Sequence, residues 1–437
     1  FLSKVLERIV LSQLMSHLEE HRLLEPFQSA YKKGHSTETA LLRVVNDLLG
    51  AADRGRVSIL SLLDLSAAFD TIDHEILCQR LQDVFGCSGT ALAWFSSYLT
   101  DRTQSVVVNN IRSTPSPLRY GVPQGSVLGP VLFTMYTQPL SSLINTLNHP
   151  YHFFADDSQL YDSTVPADTP SLACEMSSSI ASVADWMRDN KLKMNDEKTE
   201  LIAVGTRSKL ALTPLLSMTI SGHEIEFSKS VRNLGVYLDE TLSMDTQINT
   251  LCRALNFHLR RIGKIRQYLS TESANTLAVS FILSRLDFCN SLLSGLPDAK
   301  LSRLQRIQNN AARVVLRQPR RASATSALRT LHWLPVKARI DYKLACLTFH
   351  CLHSDSCPSY LSELLSPYKP TRTLRSQDAS LLTVPRYSLN TFGKRSFTVM
   401  APLLWNSLPS SLRQTDSLTS FQKNLKTHLF CKYLSDE

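Results

Sequence analysis

The sequence predicts an α+β fold over the first 240 residues, followed by a basic, helical second half. Three observations predict it. Apolar strand-like runs such as "VSILSLLDL" (57–65) and "YHFFADDSQLY" (151–161) are interleaved with helical stretches up to about residue 240. From residue 245 onward the apolar spacing is predominantly helical. The charge divides in the same place. Residues 1–240 carry 20 Lys and Arg against 27 Asp and Glu, a net −7, whereas residues 241–437 carry 27 against 11, a net +16. Within the second half, residues 253–343 hold 17 basic and 4 acidic residues, a net +13 that suits a polyanion or a solvated basic face.

The elements follow in order. Residues 1–24 and 36–52 have helical spacing, and "STET" at Ser36–Thr39 supplies an N-cap for the second helix. The run 57–65 enters on a β-branched residue, stays apolar and reads as a buried strand with Asp64 at its end. "SAAFDTIDHEILCQRLQDVFG" (66–86) reads as a helix ending at Gly86, and "TQSVVVNN" (103–110) as a short strand. "YGVPQGSVLGPVLFTMYTQPLSSLI" (120–144) opens as a Gly/Pro loop and runs into an apolar helix. "YHFFADDSQLY" reads as two short strands with Asp156 and Asp157 at their turn. Residues 170–190 are helical, while "KTELIAVG" (198–205) and "VRNLGVYLD" (231–239) are strands. Between 352 and 417 Pro and Ser recur, so less order is expected there.

A length of 437 residues suits about three domains, and 43% hydrophobic with 19% charged residues is a globular composition. The chain begins at Phe1, already in a helical pattern, and reads as a fragment lacking an N-terminal part. No apolar run reaches the ~18 residues of a membrane helix, so no membrane partner is expected. The nine cysteines form no CxxC pair, as in a reduced, intracellular protein. No phosphate-cradling GxxxxGK[ST] and no Ser-His-Asp pattern is present.

The chemistry concentrates on three carboxylates. Asp64 ends a buried strand, and Asp156 and Asp157 sit at a hairpin tip. Three carboxylates meeting in one cleft repel one another unless a cation neutralises them. Magnesium is the hard, oxygen-seeking cation bound by one or two carboxylates plus substrate phosphates. Two such ions clamp the attacking and leaving oxygens of an in-line phosphoryl transfer. A bare Asp-Asp pair is more often a solvated turn, but "YHFFA" and "QLY" around this one supply more apolar support than such a turn needs.

"LLDLSAAFDTIDHEIL" (62–77), "GVPQGSVLGPVLF" (121–133), "FFADDSQLY" (153–161), "KLKMNDEKTELIAVG" (191–205) and "LGVYLD" (234–239) stand in the order of reverse transcriptase motifs A to E. "QSAYKKGHSTETALL" (28–42) is similar to the fingers motif that precedes them. Over roughly residues 1–240 the chain therefore resembles the reverse transcriptases of LINE-type, non-LTR retrotransposons. "LHWLPVKARIDYKL" (331–344) and "APLLWNSLPSSLR" (401–413) resemble the C-terminal part of such elements without indicating any chemistry.

The resemblance implies a right-hand polymerase, with fingers and palm over 1–240, a helical basic thumb over 241–320 and a C-terminal extension over 321–437. It implies RNA-directed DNA synthesis from an RNA template, a DNA primer and deoxynucleoside triphosphates, in the nucleus at the time of integration. It implies two Mg²⁺ ions held by Asp64 and Asp156, with Asp157 their less directly coordinating neighbour and the Leu65 carbonyl a further ligand. Phe69, five residues after Asp64, stands in the place of a sugar gate, where a ring excludes a ribose 2′-OH; on pattern alone it is a core Phe. Gln124 and Gly125 match residues that meet the incoming nucleotide, beside Gly121. Asn195 and Lys198 match motif D, which makes Lys198 either the group that neutralises pyrophosphate or a surface Lys. Asp70 and Asp73 stay ambiguous, Asp73 between ligand and local helix group. In the fingers motif, Lys32 followed by Lys33 stands where the family has an Arg on the triphosphate, and Lys lacks the bidentate fork. Two other readings use the same residues: an inactive relic that only binds nucleic acid, and a metal-dependent nuclease.

In the basic half, "DAKLSRLQRIQNNAARVVLRQPRRA" (298–322) projects Leu301, Leu304, Ile307, Ala311, Val314 and Val315 on one helical side. Arg303, Arg306, Arg313 and Arg317 fall on another, a stripe suited to phosphates or to solvent. Cys346, His350, Cys351, His353 and Cys357 are a zinc-like set of residue types at irregular spacing, and Leu344, Leu347 and Leu352 among them fit a packed helix instead.

Overall fold

The computed structural model describes residues 2–434 except 67–68, 124, 214–216, 221 and 370–379. The chain divides into two compact units. Phe1–Lys33, Ile59–Leu201 and Pro214–Ser228 form one, and Gly34–Ser58, Ile202–Thr213 and Lys229–Glu437 form the other.

A four-stranded sheet runs in the order Glu200–Val204, Val57–Leu63, Asp157–Thr164, Tyr151–Phe154. Val57–Leu63 lies inside it with six of seven residues buried, which is why its sequence is apolar without alternation. Asp64 follows the last residue of that strand. Tyr151–Phe154 and Asp157–Thr164 pair antiparallel with Phe154 opposite Asp157, so Ala155 and Asp156 form the turn. Residues 27–29 continue the sheet on the outer side of that hairpin. The Phe153 N–H donates to the Phe27 carbonyl at 2.9 Å, and the Ser29 N–H donates to the Phe153 carbonyl at 3.0 Å. This pairing satisfies an edge that would otherwise expose its backbone groups. The helix Thr169–Asp189 buries Leu172, Met176, Ile180, Val183 and Met187, an apolar stripe at three- and four-residue spacing.

The helix expected over 66–86 is shorter, His74–Asp83. The Asp73 carboxylate accepts the Glu75 and Ile76 N–H groups at 2.9 and 3.1 Å and caps the helix there. Residues before it turn to meet another loop. The Gly121 N–H donates to the Ile72 carbonyl at 2.7 Å and the Val122 N–H to the Phe69 carbonyl at 3.0 Å. The single strand expected over 103–110 is instead two short pairings, Thr103–Gln104 with Ser116–Pro117 and Val107–Val108 with Ile111–Arg112. Asn109 and Asn110 turn the inner hairpin with φ of 49° and 63°.

In the second unit the N-cap at Ser36 is a full capping box with Thr39, and the helix Thr37–Asp53 buries most of its length. The described residues between 352 and 417 hold more order than their Pro and Ser content predicts, in the helices Ser359–Ser362, Phe397–Ser407 and Ser410–Arg413. Long-range hydrogen bonds provide it. The Asp53 carboxylate accepts the Ser388 and Leu389 N–H groups, the closest at 2.6 Å. Asn406 pairs with both backbone groups of Leu382 at 2.8 and 2.9 Å, and the fully buried Trp405 donates to the Ser380 carbonyl. "APLLWNSLPSSLR" is thus a packing segment. No helix among the described residues is long and apolar enough to cross a membrane.

Candidate active site

Asp64, Asp156 and Asp157 are positioned by backbone pairing. Asp64 leaves the central strand and is followed by Leu65–Ser66, which pairs antiparallel with Lys193–Met194. The Asn195 N–H donates to the Asp64 carbonyl at 2.9 Å. The next turn, Asp196–Lys198, then brings the Lys198 ammonium to 3.0 Å from Asp64 Oδ2. Lys198 therefore reaches the site because the motif-D-like segment zips onto the residue after Asp64. Its side chain is 66% exposed against 24% for Asp64.

The hairpin tip supplies the other two acids. Ala155 takes a left-handed φ of 56°, which a non-glycine residue holds only when its surroundings impose it. Gln28 imposes it. Its Oε1 accepts the Ala155 and Ala30 N–H groups at 3.0 and 2.9 Å, and its Nε2 donates to the Ala155 carbonyl at 3.3 Å. Gln28 is 5% exposed and was not legible as a functional residue; the one signal is that it opens the fingers-like motif 28–42.

Electrostatics couple the three acids. Burial raises Asp156 above its ordinary range, with Asp64 adding to the rise and Lys198 opposing it. Burial, then Asp156 and Asp64, push Asp157 up to about 6, again against Lys198. Asp64 Oδ2 is buried, and its partner is the Lys198 ammonium at 3.0 Å. A buried carboxylate oxygen met by one ammonium, beside two acids held above their ordinary range, is a donor set that a hard cation stabilises. Among the described residues no three His, Cys, Asp or Glu side chains form a ready-made metal cage. Carboxylates of this kind suit a cation that takes one or two of them and completes its shell with water and phosphate oxygens.

Phe69 is partly buried and packs on Phe133, ring centroids 4.8 Å apart at 35°. Gly121 crosses the same loop at φ 82°, where a Cβ would lie 2.9 Å from the Asp70 carbonyl oxygen and 3.0 Å from that of Phe69. Glycine is required there by both conformation and space. Gly125 also has a positive φ, 75°, but open space around it. Gln124 lies outside the described residues. Leu65 is buried in the short pairing beside Asp64. Asp73 is the helix cap described above and Asp70 is exposed.

Lys32 is not brought to the acids. Its ammonium donates to the Glu25 carbonyl at 2.8 Å, and burial lowers it to about 8. Burial, and then the charge of Asp156, raises the hydroxyl of the neighbouring Tyr31 above its ordinary value. Two further supports were invisible locally. Glu7 Oε2 accepts the Val127 and Leu128 N–H groups at 2.6 and 3.2 Å, at the entry to the helix Gly129–Thr137. Arg80 is buried with its guanidinium 4.5 Å from the Tyr136 ring centroid and donates to the Tyr136 carbonyl and Asn190 Oδ1.

In the second unit the arginine stripe is only partly realised. The helix ends at Val315, and Arg317 lies beyond it with φ 53°. Arg317 donates to the carbonyls of Arg266, Gln267 and Leu269 at 3.1 to 3.3 Å, and Arg313 donates to the Ala322 carbonyl at 3.0 Å. Arg303 and Arg306 remain exposed. Arg303 instead joins a polar groove with Asn249, Arg253, Asn256 and Arg260, and donates to Asn249 Oδ1 at 2.6 Å. Cys346, His350, Cys351 and His353 lie on the helix Val336–His353; Cys357 Sγ stands 3.1 Å from Cys351 Sγ, and no third ligand completes a metal site among the described residues.

A family model described as "Reverse transcriptase (RNA-dependent DNA polymerase)" matches residues 1–238. The chain is 26% identical over 395 residues to the probable RNA-directed DNA polymerase from transposon BS of Drosophila melanogaster, covering 86% of this chain and 41% of that protein. It is 26% identical over 271 residues to the RNA-directed DNA polymerase from mobile element jockey of the same species, covering 60% of this chain and 28% of that one. The chain thus spans less than half the length of these relatives. Among solved structures, apo telomerase from Candida tropicalis matches with a TM-score of 0.40 at 13% identity, over 78% of this chain and 58% of that one.

Proposed function

The chain belongs to the reverse transcriptase family, and from that premise we propose that it extends a DNA primer along an RNA template, as the polymerase of a LINE-type, non-LTR retrotransposon. The primer 3′-OH attacks the α-phosphate of a deoxynucleoside triphosphate and pyrophosphate leaves. The family depends on divalent metal; here two Mg²⁺ held by Asp64 and Asp156, with the Leu65 carbonyl beside them, would neutralise the charge that develops on the phosphate oxygens. Asp157 keeps the hairpin tip acidic without being needed as a direct ligand. Lys198, already paired to Asp64, is placed to neutralise the departing pyrophosphate. Gly121 and Gly125, with Gln124 between them, let backbone approach the nucleotide. Lys32 serves the fold of the fingers segment in this reading, and Tyr31 stands within electrostatic reach of Asp156. Synthesis on genomic DNA would place the reaction in the nucleus.

The observation that carries this reading is the convergence of Asp64, Asp156, Asp157 and Lys198 from three separate stretches of chain, with the Lys198 ammonium 3.0 Å from a buried Asp64 Oδ2. The test is extension of a DNA primer on an RNA template by the purified chain, with and without a chelator. Chelator-sensitive product of template-directed sequence is expected. Template binding with no extension at any metal concentration would instead favour an inactive, nucleic-acid-binding relic.

Phe69→Ala is expected to raise ribonucleotide incorporation relative to deoxyribonucleotide, with little loss of dNTP use, because the ring fills the place a 2′-OH would occupy. A competition assay checks it; unchanged discrimination with lowered stability would leave Phe69 as a packing partner of Phe133 only.

Template–primer binding is assigned to the groove of Arg253, Arg260 and Arg303, with Arg306 exposed on the helix that bears Arg303. Changing Arg253, Arg260 and Arg303 to Gln should flatten the log–log salt dependence of binding by roughly 2 to 3, since each phosphate contact contributes about 0.7–0.9. Arg313→Gln with Arg317→Gln should leave that slope nearly unchanged and lower the melting temperature, because those side chains donate to backbone carbonyls. Equal slopes for the two sets would refute the division.

A further inference from the structure

A cavity of about 630 Å³ lies within the second unit. Ligand sites are commonly ~300–1,000 Å³, mostly apolar, with a few convergent polar groups. This cavity has that character. Leu296, Leu301, Ile340 and Phe392, each buried, supply apolar wall. Two of its contributing stretches, "VKARID" within 331–344 and "NTFGKR" (390–395), had no chemistry legible in the sequence.

Five of the charged groups on the wall are cations, against one carboxylate. Lys300 is paired with Asp245 at 2.9 Å, Lys337 with Asp298 at 3.0 Å, and Arg395 donates to the Leu242 carbonyl at 2.8 Å. Arg207 and Lys394 also line the cavity, and their side chains make no ion pair or hydrogen bond among the described residues. Against these cations stands Asp341, whose carboxylate accepts the Tyr433 hydroxyl at 2.7 Å. The Thr241 and Ser243 hydroxyls on the wall already donate to Asp239 and Asp245 at 2.9 to 3.2 Å, and the buried Ser294 also lines the cavity, beside the polar side chains of Asn390 and Thr391. An apolar slot with hydrogen-bonding groups and two uncommitted cations suits a flat heteroaromatic body carrying a phosphate.

We propose that this cavity binds a nucleotide unit, its base enclosed by Leu296, Leu301, Ile340 and Phe392 and its phosphate met by Arg207 and Lys394. The site is additional to the nucleotide and template–primer sites of the polymerase reading. The same chemistry is offered by a free mononucleotide and by one unit of an RNA strand, and the experiment separates them.

The full chain is irradiated with near-ultraviolet light in the presence of 4-thiouridine monophosphate, or of a short single-stranded RNA carrying one 4-thiouridine. Peptide mass spectrometry then locates the crosslinks. They are expected within 294–301, 337–341 or 390–395. Crosslinking by the RNA alone identifies a strand, and crosslinking by the monophosphate as well identifies a free nucleotide. Thr391→Trp, which fills the cavity from an exposed position without removing charge, should weaken binding by about tenfold or more, as should Arg207→Glu combined with Lys394→Glu. Crosslinks confined to the groove around Arg253 and Arg260, no crosslink in the three segments, or full retention of their crosslinks in Thr391→Trp would each overturn the proposal. Should either variant fail to fold, the wild-type map alone decides. Primer extension on the same preparation shows whether the polymerase reading stands when this one falls.

Discussion

Asp156→Asn, and separately Asp64→Asn, are expected to abolish DNA synthesis while leaving the fold intact. Each change removes one carboxylate from the pair that would hold the metal, and such charge stabilisation is worth several kcal/mol. That corresponds to a loss of roughly a hundredfold or more in single-turnover rate. Stability should move the other way. Asp156 is held above its ordinary range by burial and by Asp64, so a neutral amide relieves a repulsion that exists when no cation is bound. In chelator, Asp156→Asn should therefore melt at or above the wild-type temperature. A variant keeping more than about a tenth of the wild-type rate has lost less than ~1.4 kcal/mol, and that result would remove Asp64 or Asp156 from the metal site.

Gln28→Ala is expected to lower both stability and activity, although Gln28 bears no charge and only opens the fingers-like motif 28–42. Truncation leaves the Ala155 N–H, the Ala155 carbonyl and the Ala30 N–H without the partners they have at 3.0, 3.3 and 2.9 Å. Each buried group left unsatisfied costs about 1–3 kcal/mol, so a loss of roughly 3 kcal/mol in urea unfolding is expected. Ala155 would also lose the contacts that hold its left-handed conformation, and the carboxylate that follows it would lose its fixed position. Synthesis should fall about tenfold or more even where the variant is fully folded, since small misplacements of a reacting group carry penalties of that order. An unchanged unfolding midpoint would show that the tip holds itself. A lowered midpoint with wild-type synthesis would make Gln28 a purely structural clamp.

The strands carrying the acids were legible because their signals are local. "VSILSLL" is apolar without alternation, and that is how a strand with both faces buried must read. The hairpin around Asp156 was legible because apolar runs flank a break of two polar residues. The helix after Asp64 was misjudged because its 66–72 portion has acceptable helical spacing, while its backbone is claimed by Gly121 and Val122 from fifty residues away. The arginine stripe failed at its end for a related reason. A wheel continued past Val315 assumes a helix that the chain has already left, and Arg313 and Arg317 then find carbonyls at that terminus.

What the sequence by itself determined is the set of acids and the strands that bear them, together with the order of motifs that marks the chain as a polymerase relative. Strand periodicity, turn residues and charge are properties of neighbours along the chain. Only the tertiary structure decided which groups complete the site: Gln28 at the hairpin tip, Glu7 on the Val127 and Leu128 amides, Lys198 on Asp64, and Lys32 turned inward to Glu25. The physical reason is that a buried polar group must find a partner wherever packing provides one. For Gln28, Glu7 and Lys198 those partners lie more than 100 residues away, and Lys32 turns seven residues back to a carbonyl, a choice that no local spacing announces.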